Sequence, residues 1–206
     1  MSANGWGIGA TTRVFDFDDD LARSQTQAND PMWREIYVQW FPRFRSMEYV
    51  TDSDGQRSGT DRLVTLAGGD GGGTIVRIEE KIDYTSYNNF FLETWSDAKR
   101  RVPGWMGHPL DCDYIAYAFI QRRQCYFLPY QALRHAYYVN ARRWIDAYKE
   151  RKVANLCDGR SWITKGVPIP IQTLRQEIER GSYVEWTAEP QAGDMTILDD
   201  DEETAV

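Results

Sequence analysis

Asp61, Glu79 and Lys81 are the residues of this chain whose types and spacing point most directly to chemistry. Glu79 and Lys81 stand two apart in the run Thr74-Ile75-Val76-Arg77-Ile78-Glu79-Glu80-Lys81-Ile82-Asp83. In an extended strand their side chains therefore leave on one face, together with Ile75, Arg77 and Asp83. Val76, Ile78 and Ile82 take the other face and anchor to a core, with Glu80 interrupting the apolar series. The glycine-heavy stretch Gly68-Gly69-Asp70-Gly71-Gly72-Gly73 separates this run from Arg62-Leu63-Val64-Thr65-Leu66. Two β-rich runs around such a turn predict a hairpin. Asp61, at the start of the partner strand, reaches Glu79 if the register allows. Two carboxylates suit Mg²⁺, a hard cation that takes a few carboxylates and keeps water. Such an ion turns bound water into a nucleophile and neutralises charge on a phosphate. A lysine beside it can orient the water or stabilise the transition state. Glu79 and Lys81 would also each favour the charged form of the other. The competing reading is a solubilising cross-strand charge pair.

The order Gly59-x-Asp61, strand, turn, Glu79-x-Lys81 resembles the PD-(D/E)XK nuclease superfamily. The lead-in Asp52-Ser53-Asp54-Gly55-Gln56-Arg57-Ser58 adds to the likeness. So do Leu92-Glu93-Thr94-Trp95-Ser96, Pro103-Gly104-Trp105 and Cys112-Asp113-Tyr114-Ile115-Ala116-Tyr117-Ala118-Phe119. Together they are similar to small phage- and prophage-type members, from Gln56 to the helix after Pro129. The resemblance implies Asp61 and Glu79 as metal ligands, the Glu80 carbonyl as a third, and Lys81 as catalytic lysine. It implies Mg²⁺ or Mn²⁺ as cofactor, with no small-molecule cofactor, and DNA as the substrate of phosphodiester hydrolysis. It further implies a restriction-endonuclease-like α/β domain, a mixed β-sheet flanked by helices, with a homodimer and a cytoplasmic, bacterial-host setting by analogy. Thr60 stands where the superfamily's name has proline. Gln56, just before Gly59-x-Asp61, is an orienting group by resemblance and otherwise an ordinary loop residue. For the superfamily's helical glutamate, Glu35 is the better candidate and Glu48 the weaker; Glu35 also reads as a surface acid near a helix start.

These strands need a fold around them, and 206 residues suffice for one substantial core but not two comfortable domains. Eight Trp and twelve Tyr can fill a core, stack on bases, or do both. The formal charge of −7 is opposite to that of a simple nucleic-acid binder. Its distribution is uneven: six acids and no base follow from Asp194 onward, while Trp95 to Lys152 holds eleven Lys/Arg against five Asp/Glu. Three cysteines, with no CxxC, read as buried reduced thiols. With no signal peptide in view and no apolar run long enough for a bilayer, an intracellular protein without membrane contact is expected. There is no Walker loop or Ser-His-Asp arrangement, and two histidines leave little for His-centred catalysis.

Residues 1–29 read as a loose lead-in with a short strand at Thr12-Arg13-Val14-Phe15, residues 30–190 as the nuclease-like domain, and 191–206 as an acidic disordered tail. Asp30-Pro31 opens a helix whose apolar stripe is Trp33, Ile36, Tyr37, Trp40 and Phe41. Residues 89–95 form a strand in which Glu93 either approaches the site as a supporting acid or sits at a watered edge. Lys99, Arg100 and Arg101 make a basic run fit for phosphate contact, or a solvated loop. Asp113 to Gln121 reads as a buried strand, with Cys125–Pro129 returning. The longest helix runs from Tyr130 to Lys152 on an apolar stripe of Leu133, Tyr137, Ala141, Trp144 and Tyr148. Arg134, Arg142, Lys149 and Lys152 fall on an adjacent stripe that either tracks a nucleic-acid backbone or faces solvent. Pro168 and Pro170 confine Val167–Ile171 to short extended pieces outside a central strand, and Thr173 to Arg180 is a brief helix. Two other functions fit the sequence: a catalytically silent nucleic-acid-binding or phage accessory protein, and an interaction protein whose acidic tail recruits a basic partner.

Overall fold

The protein is described here by a computed structural model covering residues 15–16, 31–51, 58–69, 71–157, 160–178 and 182–185. Its elements are β1 (Phe15–Asp16), α1 (Pro31–Trp40), β2 (Phe44–Tyr49), β3 (Arg62–Ala67), β4 (Gly73–Asp83), β5 (Asn89–Asp97) and β6 (Val102–Pro103). Then follow β7 (Tyr114–Phe119), a 3₁₀ turn at Ile120–Arg122, β8 (Gln124–Pro129), α2 (Tyr130–Tyr148), β9 (Arg151–Cys157), β10 (Arg160–Pro170), α3 (Ile171–Glu177) and β11 (Ser182–Glu185).

The glycine-rich turn does fold β3 back on β4, antiparallel, with Arg62 opposite Ile78 and Ala67 opposite Gly73. This hairpin lies within a six-stranded sheet of order β11-β8-β7-β4-β3-β2. Its neighbours are antiparallel except for the central pair β4 and β7, which run parallel with Glu79 opposite Ile115. A parallel pair needs a crossover between its strands. Here the crossover is made of β5 and β6, which belong to a second sheet of order β1-β9-β10-β5-β6. The chain leaving β4 therefore passes over one face of the first sheet before returning as β7, and this places β5 and residues 104–113 above Glu79.

Two cores result from the alternation of side chains along β4, β7 and β8. Ala116, Ala118, Cys125, Phe127, Val64, Val76 and Ile78 meet α1, whose Trp33, Ile36 and Tyr37 recur at three and four and are fully buried. Ile115, Tyr117, Phe119, Tyr126 and Leu128 on the opposite face meet α2 and the second sheet through Leu133, Trp144, Phe90, Leu92, Val167 and Ile169. The fold is thus α/β with a mixed sheet, but helices cover only part of that sheet. Helices flank both faces as expected, and the face that meets α2 is shared with a second sheet, whose apolar side the Phe90-Leu92 and Val167-Ile169 alternations supply.

Three expectations are corrected. The prolines of β10 do not shorten it, and it is an interior strand of eleven residues between β5 and β9. Pro168 and Pro170 lie where β10 pairs with β5 alone, since β9 begins only at Arg151 opposite Gly166. Two prolines at even spacing leave their missing N–H groups on one edge, the edge that β9 has not reached. The long helix ends at Tyr148, not Lys152: Lys149 takes a positive φ of 62° and Lys152 is already in β9. The brief late helix is Ile171–Glu177, beginning as soon as the proline-bearing strand ends. A strand β1, parallel to β9, covers Phe15–Asp16 and shares Phe15 with the expected lead-in strand, whose residues 12–14 lie outside the described residues. The rest of the lead-in and the acidic tail lie outside the described residues. Among the described residues no helix is long and apolar enough to cross a membrane.

Candidate active site

Register brings the hairpin's charged residues together. Asp61 lies one residue before β3 and donates its backbone N–H to the Ile78 carbonyl (2.9 Å). Its carboxylate accepts the Glu80 backbone N–H at 2.8 Å. On β4, Lys81 Nζ donates to Glu79 Oε1 at 2.5 Å, in an ion pair whose lysine side chain is 29% exposed and whose glutamate is 10% exposed. Burial, with the adjacent Glu79 charge, pushes the Asp61 carboxyl up to about 7. For Lys81 burial acts to lower the pKa, but the Glu79 and Asp61 carboxylates outweigh it and hold the ammonium above its ordinary value. Asp61, Glu79 and Lys81 thus form one electrostatic cluster.

The crossover adds a fourth member. Glu93 of β5 acts on the same lysine, accepts the Trp105 backbone N–H, and has its carboxyl raised chiefly by burial. Its place depends on Gly104, where an added Cβ would come within 2.5 Å of Glu93 Cγ and 2.7 Å of its backbone oxygen. Together these elements line a pocket of about 400 Å³ that is open to solvent. Glu79 and Lys81 line one side; Phe91, Glu93, Trp105 and His108 are among the residues on the other. Gly59 lines it too, at a positive φ of 82°, and a side chain there would collide with Leu110 at 2.5 Å.

Glu80 behaves differently from the residues on either side. Its carboxylate accepts Tyr37 Oη at 2.5 Å, Arg62 Nε at 2.9 Å and Arg62 Nη2 at 3.1 Å, on the α1 side of the sheet. The acid that breaks the apolar alternation is therefore paired inside a core. Tyr49 adds its ring 5.2 Å from the Arg62 guanidinium. Glu80 can still serve the opposite side through its main chain. In a strand the N–H and C=O of one residue leave along the same edge. Its carbonyl accordingly points to the edge where its N–H meets Asp61, beyond the first residue of β3.

Other candidates are not brought here. Glu35 is exposed on α1, the helix packed on the far face of the sheet, because Trp33, Ile36 and Tyr37 turn the buried side of that helix away from it. Glu48 is exposed on the edge strand β2. Gln56 lies outside the described residues. Lys99, Arg100 and Arg101 are exposed on the turn between β5 and β6, held by Asp97, which accepts both the Lys99 and Arg100 N–H groups. Ser96 and Pro103, on either side of this turn, line the pocket. Of the basic stripe expected along the long helix, Arg134, over Tyr138 at 5.3 Å, and the exposed Arg142 lie on α2, whereas Lys149 caps its end and Lys152 is in β9. Sequence reasoning assigned no role to Phe91, Trp105, His108 or Tyr117 in the pocket. The Pro103-Gly104-Trp105 triplet was the available signal, since a glycine between two bulky residues marks close chain approach.

Comparison of the chain with protein-family models, curated proteins and solved structures found no match. The site stands on its own geometry. Among the described residues no three His, Cys, Asp or Glu side chains gather closely enough to enclose an ion. Two carboxylates, a main-chain oxygen and water nonetheless make a donor set suited to Mg²⁺ or Mn²⁺, which bind through few protein ligands. Burial first and the Glu79 charge second raise the Asp61 carboxyl, and a cation would relieve the crowding of the two carboxylates.

Proposed function

We propose that the chain is a metal-dependent nuclease that hydrolyses phosphodiester bonds in DNA, built as a variant of the restriction-endonuclease-like fold. The reading includes a phage or prophage type of protein acting in a bacterial cytoplasm, by the resemblance above. The observation that carries it is the cluster of Asp61, Glu79 and Lys81, of which Glu79 and Lys81 line a pocket. Asp61 and Glu79, with the Glu80 carbonyl, would hold Mg²⁺ or Mn²⁺. The ion, when bound, supplies Lewis-acid activation of water and offsets charge on the phosphate. Glu80 N–H orients the Asp61 carboxylate, and Glu79 orients the Lys81 ammonium. Lys81 then presents a fixed positive charge where an attacking water and the equatorial phosphate oxygens come together. Glu93 adds a third acidic neighbour that keeps this lysine protonated and in place.

The test is cleavage of single-stranded, duplex and branched DNA with Mg²⁺ or Mn²⁺. Asp61→Ala, Glu79→Ala and Lys81→Ala should each reduce cleavage by about 10²-fold or more, with circular dichroism unchanged. Wild-type protein that leaves every substrate intact sinks the reading. Steeply salt-dependent binding without cutting would indicate the catalytically silent nucleic-acid-binding module instead. A Mg²⁺-induced thermal shift that vanishes in Asp61→Asn supports the enzyme.

A further inference from the structure

The pocket has a property that a flat nuclease face would not have: its reacting side and its opposite wall are fastened together. The crossover carries Phe91 and Glu93 on β5 and Trp105 and His108 on the following loop, all lining the same space as Glu79 and Lys81. That loop is bound to the body of the fold along its length. Met106 N–H donates to the Glu93 carbonyl at 3.0 Å, and His108 Nδ1 meets the Gly104 carbonyl at 2.9 Å. Tyr130 Oη of α2 accepts the Leu110 N–H at 2.9 Å and donates to the His108 carbonyl at 3.1 Å. Thr60, beside Asp61, donates its hydroxyl to the Asp111 carbonyl at 2.5 Å, while Asp111 N–H donates to Ser58 at 2.7 Å. Trp105 and Met106 are buried beneath this loop at 8% and 1% exposure. Such a wall is part of the core and does not swing aside.

Resting on the nuclease reading, we infer that the pocket admits one unpaired nucleotide, so that the substrate is a single strand or the single-stranded part of a forked or overhanging end. A pocket of about 400 Å³ falls at the small end of the range that takes drug-sized ligands. An uninterrupted duplex cannot bring a phosphate under a fixed wall without unpairing and unstacking the nucleotide first. Single strands carry no such cost. The lining supplies what single-strand sites use, a stacking surface and a basic approach. Phe91 is the half-buried aromatic of the lining, with Trp105 and Tyr117 nearly buried beside it, and Lys99, Arg100 and Arg101 stand exposed on the turn joining Ser96 to Pro103 at its edge. Base stacking is tolerant of sequence, so little base preference is expected.

The experiment compares a labelled strand of about fifteen nucleotides, its blunt duplex, and a duplex with a single-stranded flap. Binding is read by anisotropy with Ca²⁺, and cleavage with Mg²⁺ or Mn²⁺. The single strand should bind about tenfold or more tightly than the blunt duplex, and cleavage of the flap should fall in its unpaired part. Phe91→Leu should weaken single-strand binding about fivefold or more while leaving the thermal midpoint nearly unchanged. Should Phe91→Leu also unfold the protein, Lys99→Ala/Arg100→Ala/Arg101→Ala replaces it, expected to flatten the salt dependence of single-strand binding. A blunt duplex cut along its interior as fast as the single strand overturns the inference and leaves the nuclease standing. No cutting of any substrate overturns the nuclease reading, and single-strand binding no tighter than duplex binding overturns the pocket assignment by itself.

Discussion

Glu79 and Glu80 are adjacent acids on one strand, and they meet opposite surroundings. Glu80 turns toward α1, where three donor contacts from Tyr37 and Arg62 satisfy its carboxylate and one positive charge balances one negative. Arg62 is 3% exposed, and Glu80 lifts its pKa against the burial that would lower it. Glu79 turns toward the pocket, where Asp61, Glu79 and Glu93 share a single ammonium, Lys81. One face is electrically closed and the other carries an excess of negative charge beside open space. Charge crowding of this second kind costs stability and persists where something else binds. The difference separates the residues that hold the hairpin to its core from those that face a ligand, although both sets sit on the same stretch of β4.

The largest expected effect tests the closed face. Glu80→Ala leaves the Arg62 guanidinium buried without its partner, which costs about 3–5 kcal/mol. Glu79→Ala removes a carboxylate from a crowded, solvent-reached site and should change stability by about 1 kcal/mol or less, in either direction. Urea denaturation of both variants without metal gives the answer. Equal losses would mean that the two faces do not differ as described. Replacing Arg62 and Glu80 together, by Met and Leu, should recover most of the loss, since a buried pair and a packed apolar pair are close in energy.

A smaller effect tests the open face, through the proton on Asp61. Its folded pKa of about 7 lies above the ordinary carboxylate value. The folded state therefore holds the proton more tightly than the unfolded chain, and stability falls as pH rises from about 4 to about 7. Above that window the cost is constant. Asp61→Asn keeps an acceptor for the Glu80 N–H but never ionises. Without metal it should match wild type near pH 4 and exceed it by about 1–2 kcal/mol at pH 8, the solvent access of the site having been discounted. Thermal midpoints measured in chelator across that range check it. A stability difference that stays flat with pH would show that neither burial nor Glu79 raises the Asp61 carboxyl.

The contrast explains what could be read in advance. Strand alternation and the glycine turn are local, so the hairpin and the shared face of Glu79 and Lys81 were legible from spacing alone. The same period placed Glu80 on the apolar face, but not its partners, because Arg62 lies eighteen residues away and Tyr37 forty-three. Glu93 was legible as a costly acid in an apolar strand. Its destination was not, since that required knowing that β5 belongs to a second sheet crossing over β4. Pro168 and Pro170 misled for a related reason: proline excludes a ladder bond on one edge only, and which edge is free depends on where β9 starts. Glu35 had the right chemistry on a helix that packs against the far side of the sheet.

The smallest effect asks whether the two faces are independent. Glu80 belongs to both, because its side chain is locked by Tyr37 and Arg62 while its N–H holds the Asp61 carboxylate. Tyr37→Phe removes one donor from a carboxylate that retains two bonds from Arg62, and should cost about 1–2 kcal/mol. Since the ring stays and the Arg62 contacts stay, the backbone at Glu80 has no reason to move. Metal-dependent cleavage and the Mg²⁺ thermal shift should then match wild type once the fraction folded is equal. If the Mg²⁺ response falls in Tyr37→Phe while the protein remains folded, the closed face does more than anchor the hairpin: it sets the position of Asp61 through the Glu80 amide, and the separation between the faces is one of side chains but not of backbone.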